Sequence, residues 1–275
     1  MVALVVALAS LTVNFGLIDL IDGFTGYVDQ ARNQVLDAGW GLVFGVIVPV
    51  GLLAQLRRPE RRIAGIQQTA VVAFALGVAG TAGEEWWYLA LAAGITGACA
   101  VLLWLHPARR TFLARGQHLE PVLFALASVA AIPCLVYAWR MASAQRRDLP
   151  PADAVSNGMH HWTVMTALAL LVLLLVVLAA LGTAGWRVPA ICASIAAGAW
   201  AVSCVLAPES AAGSEGHVWA WAVIVWAVVT ATATFWPRTR ERVIASAADP
   251  VAGSRKSRKA TRPAQLVLFR QQEHA

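Results

Sequence analysis

Apolar residues in this chain run in long, nearly unbroken stretches, without the 3.6-residue or two-residue alternation of half-buried helices and strands. An α-helix needs about 20 predominantly apolar residues to cross the hydrocarbon core of a bilayer. Eight stretches reach that length, roughly residues 2–20, 39–56, 63–82, 86–105, 121–140, 161–182, 188–207 and 218–236. The pattern predicts an all-α, polytopic membrane bundle of about eight transmembrane helices over residues 1–237, then a basic tail over 238–275. The first stretch lacks the charged leading region of a signal peptide and is read as a span. Composition agrees: the chain is 59% hydrophobic and 13% charged, with a mean hydropathy of +0.65. Soluble domains carry about a quarter charged residues.

The polar connections between stretches sort by sign. Arg57, Arg58, Arg61 and Arg62 crowd the second, Arg109, Arg110 and Arg115 the fourth, and Arg187 is the only charge in the sixth. The first holds Asp19, Asp22, Asp29 and Asp37 against Arg32, the third Glu84 and Glu85, and the seventh Glu209 and Glu215. The fifth is mixed, with Arg146 and Arg147 against Asp148 and Asp153. Connections rich in Lys and Arg stay in the cytoplasm. Alternation over eight spans therefore predicts a multi-pass protein of the cell (inner or plasma) membrane with both termini cytoplasmic. Only Arg140, Arg146 and Arg147 run against that orientation. Tryptophans at 40, 86, 87, 139, 162 and 219 fall near the expected outer ends, and those at 104, 186 and 236 near the inner ends, as an aromatic belt would.

Net charge changes the picture little. From Arg238 onward nine basic residues face Glu241, Asp249 and Glu273, which accounts for the whole +6; the other twelve basic and twelve acidic residues cancel. The basicity belongs to the tail and does not indicate nucleic-acid binding. A segment so polar is expected to be disordered, or to lie on anionic lipid through Arg255, Lys256, Arg258, Lys259 and Arg262. Cys99, Cys134, Cys192 and Cys204 sit in apolar runs without a paired spacing and are expected as small buried hydrophobes. The near-exclusive use of Arg over Lys, with much Ala and Val, suggests a GC-rich bacterial genome.

A 4+4 parallel repeat is weakly visible. Each half would open with a span and a long outer connection, begin its second span beside a tryptophan (Gly39-Trp40, His161-Trp162), and close with a Gly/Glu/Trp junction (Gly83 to Trp87, Gly213 to Trp219). Four spans per half keep the halves parallel.

Ionisable residues are absent from the middle of every predicted span and gather at outer ends, which counts against a proton-coupled carrier. The midplane polar groups Thr96, Ser128, Thr166, Ser194 and Ser203 are expected to bond helix backbone. Candidate binding residues are Arg140, Asp153, His160, His161, Glu84, Glu85 and His217; the plain alternative is that interfacial residues are polar because water is there. Arg140 would take an anionic group bidentately, the start of the sixth helix would add its positive dipole end, and Pro133 would kink the fifth helix and open a cavity. A metal reading joins His161, Met165, Met159 and Met141, because thioethers with imidazole suit Cu(I); the alternative is methionine as apolar filler. Bis-His haem through His161 and His217 is a weaker variant. No resident cofactor is expected, since phosphate-loop, dinucleotide and zinc spacings are missing. Glu84-Glu85 resembles the paired glutamates of CAAX-type membrane proteases, but Tyr88 stands where their arginine belongs. Gly94-Ile95-Thr96-Gly97 loosely resembles a rhomboid nucleophile turn, with Thr in place of Ser. Gly41 with Gly45, and Gly94 with Ala98, read as helix-packing seams. His106 and His118 bracket a basic turn and are expected on a solvated surface.

The run from Tyr137-Ala-Trp-Arg-Met through Asp148-Leu-Pro-Pro-Ala-Asp to His160-His-Trp resembles uncharacterised multi-pass membrane proteins of GC-rich bacteria, which implies membrane location and no particular activity. The functional expectation is an outward-facing binding or transport protein for a small molecule or lipid headgroup. A non-catalytic scaffold or assembly subunit of a membrane complex, and a membrane-embedded enzyme acting on a lipid-linked substrate, are the alternatives.

Overall fold

In a computed structural model, residues 2–12, 15–25, 34–57, 59–113, 119–147, 160–207 and 213–236 are described. Asp153, Met159, His118 and the tail from Arg238 lie outside them. Hydrophobic helices result because lipid offers no partner for backbone N–H and C=O groups, which an α-helix satisfies internally. The helices are α1 (Val2–Thr12), α2 (Gly16–Thr25), α3 (Gln34–Leu56), α4 (Ile63–Gly83), α5 (Trp86–Leu105), α6 (Pro121–Arg146), α7 (His161–Ala180), α8 (Arg187–Leu206) and α9 (His217–Phe235). Helices α3 to α9 are each long and apolar enough to span a membrane, and the α1–α2 pair, bent by 41°, makes an eighth crossing if counted as one broken span. The protein is an all-α, membrane-spanning bundle. Residues 1–234 form one compact unit; of the second, 235–275, only the first two residues are described.

The first span departs from the expected single helix. Leu20 and Gly23 of α2 lie against Gly41 and Ala38 of α3, so the two run antiparallel. A Cβ at Gly16 would sit 2.6 Å from the Phe44 carbonyl carbon, and one at Gly41 would overlap the Leu20 backbone. Glycine is required here because the backbones themselves touch. The Gly41/Gly45 seam therefore has a partner, α2. Gly94 does not: a Cβ there meets nothing within 4 Å, so the seam expected on α5 faces away from the described helices.

Helix α3 contains a π-helical segment, Leu42–Ile47, just before Pro49. Proline has no N–H to return to carbonyls of the previous turn. Ser10 Oγ supplies a donor in its place to Phe44 O (2.6 Å), five residues before the proline, and Gln68 Nε2 donates to Ile47 O (2.7 Å). Pro133, by contrast, sits within the continuous helix α6. The midplane hydroxyls bond carbonyls: Thr96, Ser128, Ser194 and Ser203 donate within their own helices, and Thr166 also reaches Ala138 O on α6.

Burial divides the helices. In α3 and α7 83% of the spanning window is buried, in α4 72% and in α8 61%, against 22% in each of α5, α6 and α9. Four helices thus form the core and three face outward. Helix α4 packs on α7 and α8 packs on α3, a pairing that the expected 4+4 repeat would require. The halves differ at their last helix. Helix α5 packs closely along α4, whereas α9 makes no comparably close backbone approach to any described helix and is held by contacts such as Trp226 Nε1 donating to Leu126 O at 3.1 Å.

The arginine-bearing connections meet at one end, here the basic end. Ala64 N donates to Ala184 O (3.0 Å), Gln67 Nε2 to Phe112 O, and Glu120 N to Ala180 O (2.8 Å). His106 lies there and is buried, not on a solvated surface; its Nδ1 accepts from Ala108 N at 3.1 Å. Trp40 and Trp162 are also buried, so they belong to the core, while Trp86, Trp104, Trp139, Trp219 and Trp236 are exposed as a belt requires.

Candidate functional site

Two sites lie at the acidic end. The first is a buried polar cluster where α2, α3, α5, α6 and α7 converge. Helix α7 starts behind His160, whose left-handed backbone (φ 52°) turns the chain into the helix. The His160 carbonyl accepts from Tyr88 Oη at 3.1 Å. Its Nδ1 lies 3.1 Å from Glu85 Oε1 and 2.9 Å from Gln145 Nε2, and Gln145 Nε2 donates to the same Glu85 oxygen at 3.0 Å. One residue on, His161 is 3% exposed, with Nδ1 3.1 Å from Asp37 Oδ1. The Trp40 ring lies over it at 5.1 Å and touches Tyr88 edge-on at 6.2 Å. Several polar atoms here have no hydrogen-bond partner among the described residues: both His161 ring nitrogens, Thr163 Oγ1, Gln145 Oε1 and Asp19 Oδ2. Buried polar groups are seldom left so.

The second site is an apolar groove of about 300 Å³ between α6, α7, α8 and α9. Ala130, Pro133, Leu168, Ala197 and Val223 line it. It exists because α9 stands off from the core. Polarity is confined to its end, where Arg140 pairs with Glu215 and Tyr137 Oη donates to Gly213 O at 2.6 Å. The Arg140 side chain is 58% exposed.

The sequence-predicted residues are thus divided. Glu85, His160 and His161 come together, while Arg140 is engaged by Glu215 at the groove. Glu84 is exposed and occupies the left-handed position (φ 62°) that ends α4. His217 is exposed at the start of α9. Met165 is fully buried, its sulfur over Gly39, and Met141 is buried on α6. Among the described residues no group of three or more His, Cys, Asp or Glu side chains is placed to hold a metal ion. Asp37 and Asp19 lie within helices but in their first turns at the acidic end, away from the middle of the spans; what differs from the expectation is that Asp37 stands inside a helix and is buried. Asp37, Trp40, Tyr88 and Gln145 were not singled out as site residues. The available signal was helical: α3 starts five residues and α6 ends six residues beyond the expected limits, and Asp37 and Trp40 are one turn apart on one face.

No protein-family model matches the chain, and neither the curated proteins nor the solved structures compared with it include a match.

Proposed function

We propose that the protein is a membrane-embedded binding or transport protein for an amphiphile with an anionic head, opening to the outer face of the cell membrane. The observation that carries this reading is the groove: apolar along its length, with charge only where Arg140 meets Glu215. Its lining on α6 extends from Val129 to Arg140, about 16 Å of helix at 1.5 Å per residue. Ligand sites are concave, mostly apolar and fixed by a few polar groups. An acyl chain would fill the groove. The head would sit at Arg140, whose planar fork has donors beyond those used by one carboxylate oxygen.

The orientation rests on the arginines of the basic end. A membrane-impermeant thiol reagent on intact cells is expected to label a cysteine at position 153 and not one at position 61; the opposite pattern inverts the proposal. The basic tail is proposed to contact anionic lipid on the inner face.

Binding is tested on the full chain in an uncharged detergent, by thermal shift with a fatty acid and with the alcohol of equal chain length. The acid is expected to stabilise more than the alcohol. Arg140→Gln should remove the difference, and Ala197→Phe, which fills the groove, should remove both effects. Equal stabilisation by both compounds in wild type, unchanged by Ala197→Phe, would overturn the reading.

A further inference from the structure

We propose that Asp19, Asp37 and His161 form a proton-binding site within the outer half of the bundle, separate from the amphiphile groove. His161 is almost wholly buried, lies at ion-pair distance from Asp37, and has no well-directed hydrogen bond at either ring nitrogen. Asp37 is only 8% exposed. Asp19, on the adjoining helix α2, lies within electrostatic range of His161, Asp37 and Asp22, and its Oδ2 is buried without a partner among the described residues.

Charge counting gives the site its ligand. With both carboxylates ionised and His161 protonated, the trio carries one net negative charge in a medium that penalises it. The neighbouring elements do not cancel that charge. Helix α2 adds only Asp22, and α5 contributes Glu85, which is engaged with His160 and Gln145. Helix α4 has no ionisable side chain, and α8 has Arg187 at its opposite end together with Cys192 and Cys204. On α6, Arg140 pairs with Glu215 and Arg146 donates to Ala82 O. A metal cation would need a ligand set that is not found among the described residues. A proton needs only one lone pair. It goes to a carboxylate oxygen, and the trio becomes neutral.

The approach of α2 makes the site possible. Gly16, Gly23, Gly41 and Gly45 let its backbone touch α3, with Leu20 against Gly41 and Gly23 against Ala38, which holds Asp19 beside α3 about one and a half turns along from Asp37. The break between α1 and α2 places that acid on a short helix of its own, and discontinuous helices are a recurrent way of building ion sites inside membranes.

The test is infrared difference spectroscopy of the purified full chain over a pH titration, following the carbonyl stretch of protonated carboxylic acid. Asp19→Asn should remove one component of that band. His161→Gln, which deletes a nearby cation, should raise the titration midpoint, and Asp37→Asn, which deletes a like charge, should lower it, by about 1–3 pH units each. Asp22→Asn should leave the component in place. The opposite signs separate a proton site from a structural role, and the two midpoint shifts stand even if the Asp19 variant does not fold. An unchanged band in Asp19→Asn, midpoints indifferent to the other two substitutions, or loss of the band when sodium replaces choline at constant pH would each overturn the proposal.

Discussion

The two sites at the acidic end fall at corresponding positions of the two halves expected from the sequence and are built differently. Glu85 and Glu215 each precede the fourth span of their half. Where α5 lies close along α4, Glu85 is drawn inward to Gln145 and His160. Where α9 stands away from α8, Glu215 meets a largely exposed Arg140 over an open groove. One junction closes into a polar core and the other remains a cleft. The two carboxylates are shielded alike, with side chains 20% and 17% exposed, so the difference teaches that distance between helices decides which partner a carboxylate meets and how far that partner stands in the open.

The largest effect that separates the two should come from their ion pairs. Asp37→Ala takes away the carboxylate that faces the buried His161 Nδ1 at 3.1 Å and is expected to cost up to about 3 kcal/mol in SDS-titration unfolding of the purified protein. Glycine substitutions come next. Gly41→Val must push α2 away from α3 and should cost about 1–3 kcal/mol as an overpacked contact, whereas Gly94→Ala, with open space around it, should be neutral or stabilise by up to about 1 kcal/mol through helix propensity. If both behave alike in the same unfolding assay, the α2–α3 contact is not as close as described. Arg140→Gln should change stability by no more than about 1 kcal/mol, because the arginine is largely exposed and screened and the amide can still donate to Glu215; a loss as large as that of Asp37→Ala would make the mouth a structural element. The smallest effect lies at the basic end. Burial holds His106 below its ordinary value, so the folded protein favours the neutral ring. The associated stability is present above the unfolded value of about 6.5 and is lost as pH falls towards the lower folded value. Thermal melts between pH 7 and pH 5 should show a slope that His106→Asn reduces, since Asn retains an acceptor for Ala108 N.

Much of the fold was legible because lipid imposes a simple rule, long apolar stretches bounded by charge. That rule located α4, α5, α7 and α8 to within about two residues. It misjudged the ends of α3 and α6 because it treats an acid or a polar amide as the start of a loop. Asp37 and Gln145 are inside helices because their partners, His161 and Glu85, arrive from distant parts of the chain, and no local pattern encodes such a pairing. His160, His161 and Glu85 were recognisable as candidates by residue type. Their separation from Arg140 was not, since it depends on which face of α6 each side chain takes: Gln145 looks towards α5 and Arg140 towards α9. The break after α1 and the π segment before Pro49 are likewise settled by backbone contacts between helices.

The π segment has an evolutionary corollary. A bulge of this kind inserts one extra residue into a helical turn. Losing a single codon between 42 and 47 would return α3 to regular winding and leave Asp37 and Trp40 on the face they now hold, because the widened turn already absorbs the extra residue. The direct change falls on the bulge itself, where Ser10 and Gln68 now serve the carbonyls of Phe44 and Ile47. A descendant of this chain could therefore shed one residue here and keep both the polar core and the amphiphile cleft, with only the side-chain donors on the bulge left to find new carbonyls.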